Sequence, residues 1–338
     1  MSGVEERTVA PEEAGWRLDR WVKTHFPGLP FARLQKLLRT GQFRVDGRRP
    51  EASQRLLAGQ RVRIPPLPEG AREAPPAAAG RRPLSAEDRA FVRSLVIWED
   101  ERLIALNKPP GLAVQGGTST TRHLDALLEG LARGGEKPRL VHRLDRDTSG
   151  VLVVARTVEA ARELGFAFQQ HRIRKLYWAI LLGGPERNEG LIDLPLAKSG
   201  APGRERVQPA ARDAEEAGEE RGRPARTAFK VLARAGKVAA WVALQPLTGR
   251  THQLRAHCAA IGAPILGDGK YGGRAAHPKG APEGLMLHAR ELELPSAKGR
   301  PLRITAEPPA AFRAALAWLG LGRPELPGAT LADWAEAD

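Results

Sequence analysis

The chain has 338 residues, and its content of 42% hydrophobic and 27% charged residues is typical of a globular protein with a substantial core. Its length predicts two domains, at about 150 residues each. The single cysteine, Cys258, excludes an intrachain disulfide, and the sequence shows neither an apolar signal segment at its start nor about 18 consecutive apolar residues to span a bilayer. We therefore expect a cytoplasmic protein without a membrane partner.

The charge is strongly positive and unevenly distributed. A net charge of +14 and a pI of about 10.6 indicate a polyanionic partner, either nucleic acid or an anionic membrane surface. A generally basic proteome is the alternative explanation. Between Trp16 and Ile64, however, twelve Lys or Arg stand against three Asp or Glu, so that twelve minus three gives +9 in this segment. Charge concentrated in this way favours a binding face.

Residues 16–64 are predicted to form a small helix–helix–strand module. Two amphipathic helices flank the turn PGLP, and Gly41 is placed to end the second helix. The segments QFRVDGRRP and QRVRIP are typical of two strands, the first with an Asp-Gly turn. Residues 65–90 are rich in Pro, Ala and Gly, which predicts a flexible linker.

From residue 91 to residue 322, short apolar runs are mixed irregularly with a few amphipathic helices. This pattern predicts an α+β domain around a large mixed, mostly antiparallel sheet. RTAFKVLARAG and KVAAWVALQPL are expected to pair as a hairpin, and Thr157 is expected to cap a helix. Residues 203–223, which contain five glutamates, are predicted to form an exposed acidic loop.

The segment LVHRLDRDTSGVLVVA places two Arg, two Asp and a His directly before a strand that must be buried. Asp145 lies two residues after Arg143 and one before Arg146, and neighbouring cations favour an ionised carboxylate. A carboxylate held in this state at the edge of a sheet can serve as nucleophile or base. The other interpretation is a purely structural loop of ion pairs.

A second segment, QPLTGRTHQLRAH, turns after a strand and presents Arg250 and His252 at the start of a helix. Helix N-termini favour anions, so Arg250 is placed to hold a phosphate or to fix a catalytic carboxylate. His252 and His257 are five residues apart and no HExxH motif is present, so we expect no metal site. Packing or RNA contact is the better explanation for both histidines.

The segments RKLYWAIL and GAPILGDGKYGG complete the set of candidate regions. In the first, Lys175 and Tyr177 share one face of a strand, which is either an ordinary edge or an aromatic platform for a base beside a phosphate-binding ammonium. The second is rich in glycine but lacks the P-loop spacing. It is predicted to be a scaffold loop beside the site.

The motifs HRLDRDTSG, KLYWA, PLTGRTHQLRAH and GDGKYG, in this order, resemble those of the RluA family of RNA pseudouridine synthases over about residues 96–319. VIWEDERLIALNKPPGLAVQGGT is similar to that family's opening. Its Gln-Gly-Gly resembles the RluC-type branch, which modifies large-subunit ribosomal RNA. RLDRW, QKLLRTGQFRVDG and LLAGQRVRI resemble the S-four RNA-binding domain, which commonly precedes this catalytic domain.

The resemblance implies that uridine in RNA is isomerised, by breaking the bond from ribose to ring nitrogen 1 and rejoining the sugar to carbon 5, with no cofactor and no metal. It implies that Asp145 attacks the anomeric carbon or removes a neighbouring sugar proton. Tyr177 would stack on the base and help to remove the carbon 5 proton, while Arg250 would pair with Asp145. A set of basic side chains is expected to contact RNA: Arg143, Lys175, His252, Arg17, Arg33, Lys36 and Arg39.

Three alternatives remain open at this point. Transfer RNA is the main rival to large-subunit ribosomal RNA as the substrate. A binding protein without catalysis would need only the N-terminal module, but Asp145, Tyr177 and Arg250 then have no explanation in three separate motifs. A small-molecule hydrolase with an aspartyl nucleophile would leave the basic module unexplained. We expect a monomer that acts on RNA.

Overall fold

The computed structural model describes residues 3–73, 84–116, 122–199, 206–210, 222–295, 299–322 and 330–334. The chain divides into two compact units, residues 1–83 and 84–338. In the described ranges, no helix combines the length and the apolar character that crossing a membrane requires.

The N-terminal unit packs two helices against a three-stranded antiparallel sheet of order β1–β3–β2. Its elements are β1 (Glu5–Thr8), α1 (Leu18–His25), α2 (Phe31–Arg39), β2 (Arg44–Val45) and β3 (Arg61–Ile64). The helices and both predicted strands are found, and Gly41 follows α2 with the left-handed φ of +67° that a helix-ending glycine supplies. Strand β1 was not predicted, because EERT has no apolar residues to mark it.

The predicted linker is too long at both ends. Ala71 is buried and its carbonyl accepts a hydrogen bond from the backbone of Gly28, so the chain beyond residue 65 still packs on the N-terminal unit. Helix α3 (Ala86–Ser94) begins inside the predicted linker, with the Ser85 hydroxyl accepting from the backbone N–H of Asp88. Residues 74–83, the remainder of the predicted linker, lie outside the described residues.

The C-terminal unit is built on one large sheet, as predicted for an α+β domain. Its strands are β4 (Val96–Glu99), β5 (Leu103–Lys108), β6 (Arg139–Leu140), β7 (Ser149–Ala155), β8 (Arg174–Leu182), β9 (Glu189–Asp193), β10 (Leu196–Ser199), β11 (Arg206–Pro209), β12 (Arg226–Ala235), β13 (Ala239–Pro246), β14 (Leu287–Leu294) and β15 (Leu302–Thr305). Its other helices are α4 (Leu124–Leu127), α5 (Val158–Gln169), α6 (Gln253–Ala260) and α7 (Ala310–Trp318).

Within the described residues, the main sheet has the order β4–β5–β7–β14–β8–β13–β12–β9, with β6 added to β7 and β15 to β14. All pairs are antiparallel except β7 with β14. Strands β10 and β11 form a separate hairpin. The predicted β12–β13 hairpin and the Thr157 cap of α5 are present. Most of the predicted acidic loop, residues 203–205 and 211–221, lies outside the described residues.

Strand β7 is buried along its whole length, which explains the unbroken run SGVLVVA. Val151 and Val153 face a cluster that includes α5, whereas Leu152 and Val154 face a cluster that includes α4. The C-terminal unit also continues past the predicted boundary at residue 322, because Leu331 and Trp334 are buried.

The parallel junction of β7 with β14 is unusually tight. Gly150 has a φ of +111°, and a Cβ there would lie 2.2 Å from the carbonyl oxygen of Ala289. Beside it, the Ser149 hydroxyl donates to Nδ1 of His288 at 2.9 Å, because Nε2 of that ring donates to the carbonyl of Ala306. The start of β7 is therefore held in one position.

We expect Gly150→Ala to lower the free energy of unfolding by about 3 kcal/mol or more, since it adds both a backbone clash and an unfavourable φ. Gly236→Ala is the matched control, because Gly236 has a φ of +56° with nothing within 4 Å of an added Cβ. It should lose only about 1 kcal/mol. Denaturant unfolding measures both, and equal losses would contradict the assigned clash.

Candidate active site

Asp145 lies in the loop between β6 and β7, where the backbone is fixed but the side chain is accessible. Before it, Nε2 of His142 accepts a hydrogen bond from the backbone of Val153 at 2.9 Å, and its ring stacks on Phe168. Burial lowers the pKa of His142 to about 3, so this imidazole is neutral. After it, Thr148 N–H donates to the Asp145 carbonyl at 3.2 Å. The Asp145 side chain keeps 25% of its surface exposed.

Lys108 holds the same loop from inside the protein. Its side chain is fully buried, and its Nζ donates to the carbonyl oxygens of Pro109, Leu112 and Arg146, each at 2.9 Å. Burial lowers the pKa of Lys108 to about 8. One ammonium group thus joins the turn after β5 to the residue that follows Asp145. Lys108 was not among the residues predicted from the sequence.

Two basic side chains of the α6 region approach the Asp145 carboxylate. Nη1 of Arg255 is 3.7 Å from Oδ2 of Asp145, and Nε2 of His252 is 3.8 Å from the same oxygen. Burial lowers the pKa of His252 despite the nearby Asp145 charge, which favours a neutral ring. Arg255 was absent from the predicted site, although it stands in the same motif.

The predicted pairing of Arg250 with Asp145 is wrong in this structure. Arg250 precedes α6, and its Nε donates to the carbonyl of Pro224 at 2.9 Å. The turn is shaped by Gln253, whose amide oxygen accepts from the Thr248 hydroxyl and from the backbone of Arg250. Arg250 still lines the same cavity as Asp145. The helix thus brings its third residue, Arg255, to the carboxylate in place of the arginine before the helix.

Arg255 is held in turn by the GDGKYG loop, which confirms the prediction of a scaffold loop beside the site. Its Nε and Nη2 donate to the two carboxylate oxygens of Asp268, at 2.8 and 2.7 Å. Asp268 is fully buried and also accepts from the backbone N–H groups of Lys270 and Tyr271 at 3.1 Å. With two donors of its guanidinium occupied, Arg255 directs Nη1 at Asp145.

Lys175 and Tyr177 lie on the β8 face that was predicted, and both line a cavity of about 490 Å³ with Asp145. Burial and the negative charge of Asp145 raise the pKa of the Tyr177 phenol, so it stays protonated near neutral pH. Burial also lowers the pKa of Lys175. An aromatic ring, an ammonium group and a carboxylate thus meet in one cleft.

A second, wider groove of about 1020 Å³ reaches Asp145 from another direction, past the turn after β5 and the GDGKYG loop. The two openings share five residues as their common boundary: Arg143, Leu144, Asp145, His252 and Arg255. Asp145 therefore stands where two spaces meet. The predicted RNA contacts of this unit, Arg143, Lys175 and His252, all line the smaller cavity.

The remaining predicted RNA contacts lie in the N-terminal unit. Arg33, Lys36 and Arg39 are exposed on α2, and none of them takes part in an ion pair among the described residues. Arg17 is also exposed but pairs with Asp19 at 2.7 Å. The charge that is available to a polyanion therefore lies mainly along α2 and the following strands.

His257, the other candidate of the THQLRAH motif, is a packing residue. Its ring is buried between the Thr227 hydroxyl at 2.9 Å and the carbonyl of Leu194 at 3.0 Å. Among the residues whose placement the structure describes, no group of three His, Cys, Asp or Glu side chains is arranged to hold a metal ion.

The sequence matches the family model described as RNA pseudouridylate synthase over residues 102–260, which include the loop of Asp145, β8 and α6. The "Ribosomal large subunit pseudouridine synthase C" of Vibrio vulnificus is 33% identical over 302 residues, which cover 88% of this chain and 91% of the relative. The chain belongs to the RNA pseudouridine synthase family.

Two further comparisons agree with this assignment. The protein of the same name from Escherichia coli is 33% identical over 84% of this chain and 86% of its own length. The solved structure of "Human RNA Pseudouridylate Synthase Domain Containing 4" superposes with a TM-score of 0.57 at 28% identity, over 71% of this chain and 99% of that one. The family resemblance predicted from the motifs and the predicted α+β fold are both confirmed.

We expect Asp268→Asn to lower the free energy of unfolding by about 3 kcal/mol, because it leaves the buried Arg255 without its charged partner. The rate of pseudouridine formation should also fall by about 10- to 100-fold as Arg255 loses its orientation. Single-turnover kinetics and denaturant unfolding measure the two effects.

Asp193→Asn is the matched control. Asp193 pairs with Arg226 at 3.6 Å on the surface, with more than half of its side chain exposed. Such pairs contribute little, so neither stability nor rate should change measurably. If Asp268→Asn behaved like this control, the buried pair would not be what positions Arg255.

Proposed function

We propose that this chain converts specific uridines of large-subunit ribosomal RNA to pseudouridine, with Asp145 as the reacting carboxylate. The observation that carries the proposal is the position of Asp145 at the meeting point of two openings, with cationic Arg255 beside it. Its carboxylate is exposed to a substrate while its backbone is held by β7 and Lys108.

A flipped nucleotide fits this arrangement. A uridine within folded RNA must leave its stack, at a cost of a few kcal/mol, before its glycosidic bond can be reached. The cavity of Tyr177 and Lys175 would receive the base, and the wider groove would receive the adjoining strand. Asp145 would then face the sugar between them. It can attack the anomeric carbon or remove a neighbouring sugar proton.

Tyr177 is proposed to act through its ring. Because its phenol stays protonated, it is poorly suited to removing the carbon 5 proton by itself, but its face can stack on uracil. Lys175, on the same side of β8, would attract a phosphate or a carbonyl oxygen of the base. Arg143, exposed at the boundary of both openings, would contact the strand beside the flipped nucleotide.

The choice of RNA rests on the relatives. Those from Vibrio vulnificus and Escherichia coli carry the name of a large-subunit ribosomal RNA enzyme, and they are similar over most of this chain. Arg33, Lys36 and Arg39 of the N-terminal unit would add affinity that does not depend on base sequence. A monomeric state and a cytoplasmic location remain predictions from the sequence.

We expect Asp145→Asn to abolish isomerisation, with a loss of at least about 10³-fold in rate, while fold and RNA binding are retained. Asparagine keeps the shape of the side chain but not its charge. Pseudouridine mapping of total RNA, in cells that lack the gene and are complemented with wild type or variant, tests activity and substrate together.

Asp147→Asn is the control in the same loop. Asp147 is 45% exposed and pairs only with Arg146 among the described ion pairs, so its variant should restore the same sites as wild type. Large-subunit sites restored by wild type but not by Asp145→Asn would support the proposal. Sites in transfer RNA would overturn the substrate assignment, and full activity of Asp145→Asn would overturn the mechanism.

The role of the N-terminal unit can be measured by the salt dependence of RNA binding. We expect the double variant Arg33→Gln with Arg39→Gln to reduce the slope of log Kd against log salt by about 1 to 2, since each lost phosphate contact reduces counterion release. The control pair, Arg187→Gln with Lys237→Gln, removes two exposed charges at the ends of β8 and β12 that lie away from Tyr177. An unchanged slope in the first variant would contradict an RNA-binding role for α2.

A further inference from the structure

The hydrogen bonds of His252 determine which ring nitrogen carries its proton. Nδ1 of His252 lies 3.0 Å from the hydroxyl oxygen of Tyr271, and that oxygen already accepts the backbone N–H of Val207 at 3.2 Å. Burial raises the pKa of Tyr271, so the hydroxyl keeps its proton. That proton can be donated to Nδ1, which leaves the ring proton on Nε2.

The opposite arrangement is disfavoured by the surroundings of Nε2. That nitrogen faces Oδ2 of Asp145 at 3.8 Å, so an unprotonated Nε2 would direct a lone pair at a carboxylate. A doubly protonated ring is opposed by burial and by the positive charges of Arg255 and Lys270. A neutral ring with its proton on Nε2 can accept the hydroxyl proton of Tyr271 at Nδ1 and present an N–H to Asp145 at Nε2.

We propose that Tyr271 holds His252 as the Nε2–H tautomer, and that His252 is a positioning residue which donates this N–H to Oδ2 of Asp145. This inference rests on the proposed role of Asp145 in isomerisation. At 3.8 Å the contact is longer than a hydrogen bond in the free protein, and it closes when RNA occupies the cleft. Because Arg255 approaches the same oxygen, Oδ1 is left to face the sugar.

Tyr271 and Val207 line neither of the two openings that meet at Asp145. Tyr271 belongs to the GDGKYG loop, whose Asp268 binds Arg255, and Val207 belongs to β11. One loop thus directs both groups that approach Oδ2: Arg255 through a carboxylate and His252 through a hydroxyl. The left-handed φ of +53° at His252 sets the direction from which its ring approaches.

Two substitutions of His252 separate positioning from a structural role. A glutamine amide nitrogen reaches about as far as ring Nε2, whereas an asparagine amide reaches only as far as Nδ1. Asparagine, however, tolerates the left-handed backbone better than glutamine. A structural role therefore predicts that His252→Asn is the better tolerated variant, and a positioning role predicts that His252→Gln is.

The experiment is single-turnover pseudouridine formation by the full chain on protein-free large-subunit ribosomal RNA, together with the Kd of each variant for the same RNA. We expect His252→Gln to stay within about 5-fold of the wild-type rate and His252→Asn to fall by about 10²-fold, as when one oriented donor is lost. Tyr271→Phe should fall by about 10-fold, and Kd should change by less than about 2-fold in all three. Equal or better activity of His252→Asn, or losses confined to Kd, would overturn the proposal.

A second measurement does not depend on activity. In the full chain labelled with 15N-histidine and free of RNA, His252 is identified among the eight histidines by its loss in His252→Gln. We expect its Nε2 to be protonated and its Nδ1 to be a hydrogen-bond acceptor. In Tyr271→Phe, Nδ1 should lose the shift of a hydrogen-bonded acceptor and the Nδ1–H tautomer should gain population, because only Asp145 then favours a proton on Nε2. Protonated Nδ1 in the wild type would overturn the inference. The expected tautomer in a chain that forms no pseudouridine in any RNA would instead show that the proposed function fails.

Discussion

The buried ion pair between Arg255 and Asp268 is the interaction on which the site depends. Neither charge is tolerable in the interior alone, so α6 and the GDGKYG loop can pack together only with both groups in register. The desolvation of such a pair makes it a weak source of net stability. Its effect is geometric, since a guanidinium with two donors occupied has a defined third direction. The remaining nitrogen, Nη1, points at Asp145. The carboxylate of Asp145 therefore has a cation beside it although it is not buried.

The reaction proposed for Asp145 sets two opposed requirements on this carboxylate. Its backbone must be rigid, and its side chain must remain open to RNA. The protein meets the first by placing Asp145 just before a fully buried strand, by a junction so close that only Gly150 fits, and by the three carbonyl contacts of Lys108. It meets the second by placing the loop at the end of the sheet, where two openings converge on Asp145. These two requirements explain why charged residues stand directly before the buried strand β7.

The errors of the sequence reasoning have a common physical origin. Arg250 and Arg255 stand in the same motif, and both are plausible partners for Asp145. Which of them reaches the carboxylate depends on the residue at which α6 begins and on the direction each side chain then takes. Lys108 was missed because a lysine at the end of an apolar strand gives no sign that three carbonyl groups surround it. Strand β1 was missed because its pairing with β3, not its own pattern, makes it a strand.

By itself, the sequence determined the family, the α+β class, the helices and strands with strong periodicity, and the presence of Asp145, Lys175 and Tyr177 in motifs that resemble those of the family. These features depend on local pattern or on the order of short segments, which the chain carries directly. Only the tertiary structure decided that Arg255 stands beside Asp145 and that Tyr271 contacts His252. Neither contact joins neighbours along the chain, since even His252 and Tyr271 are 19 residues apart. The geometry of both contacts is set by the residue at which α6 begins, by loop packing and by buried charge, and no local sequence pattern reports these.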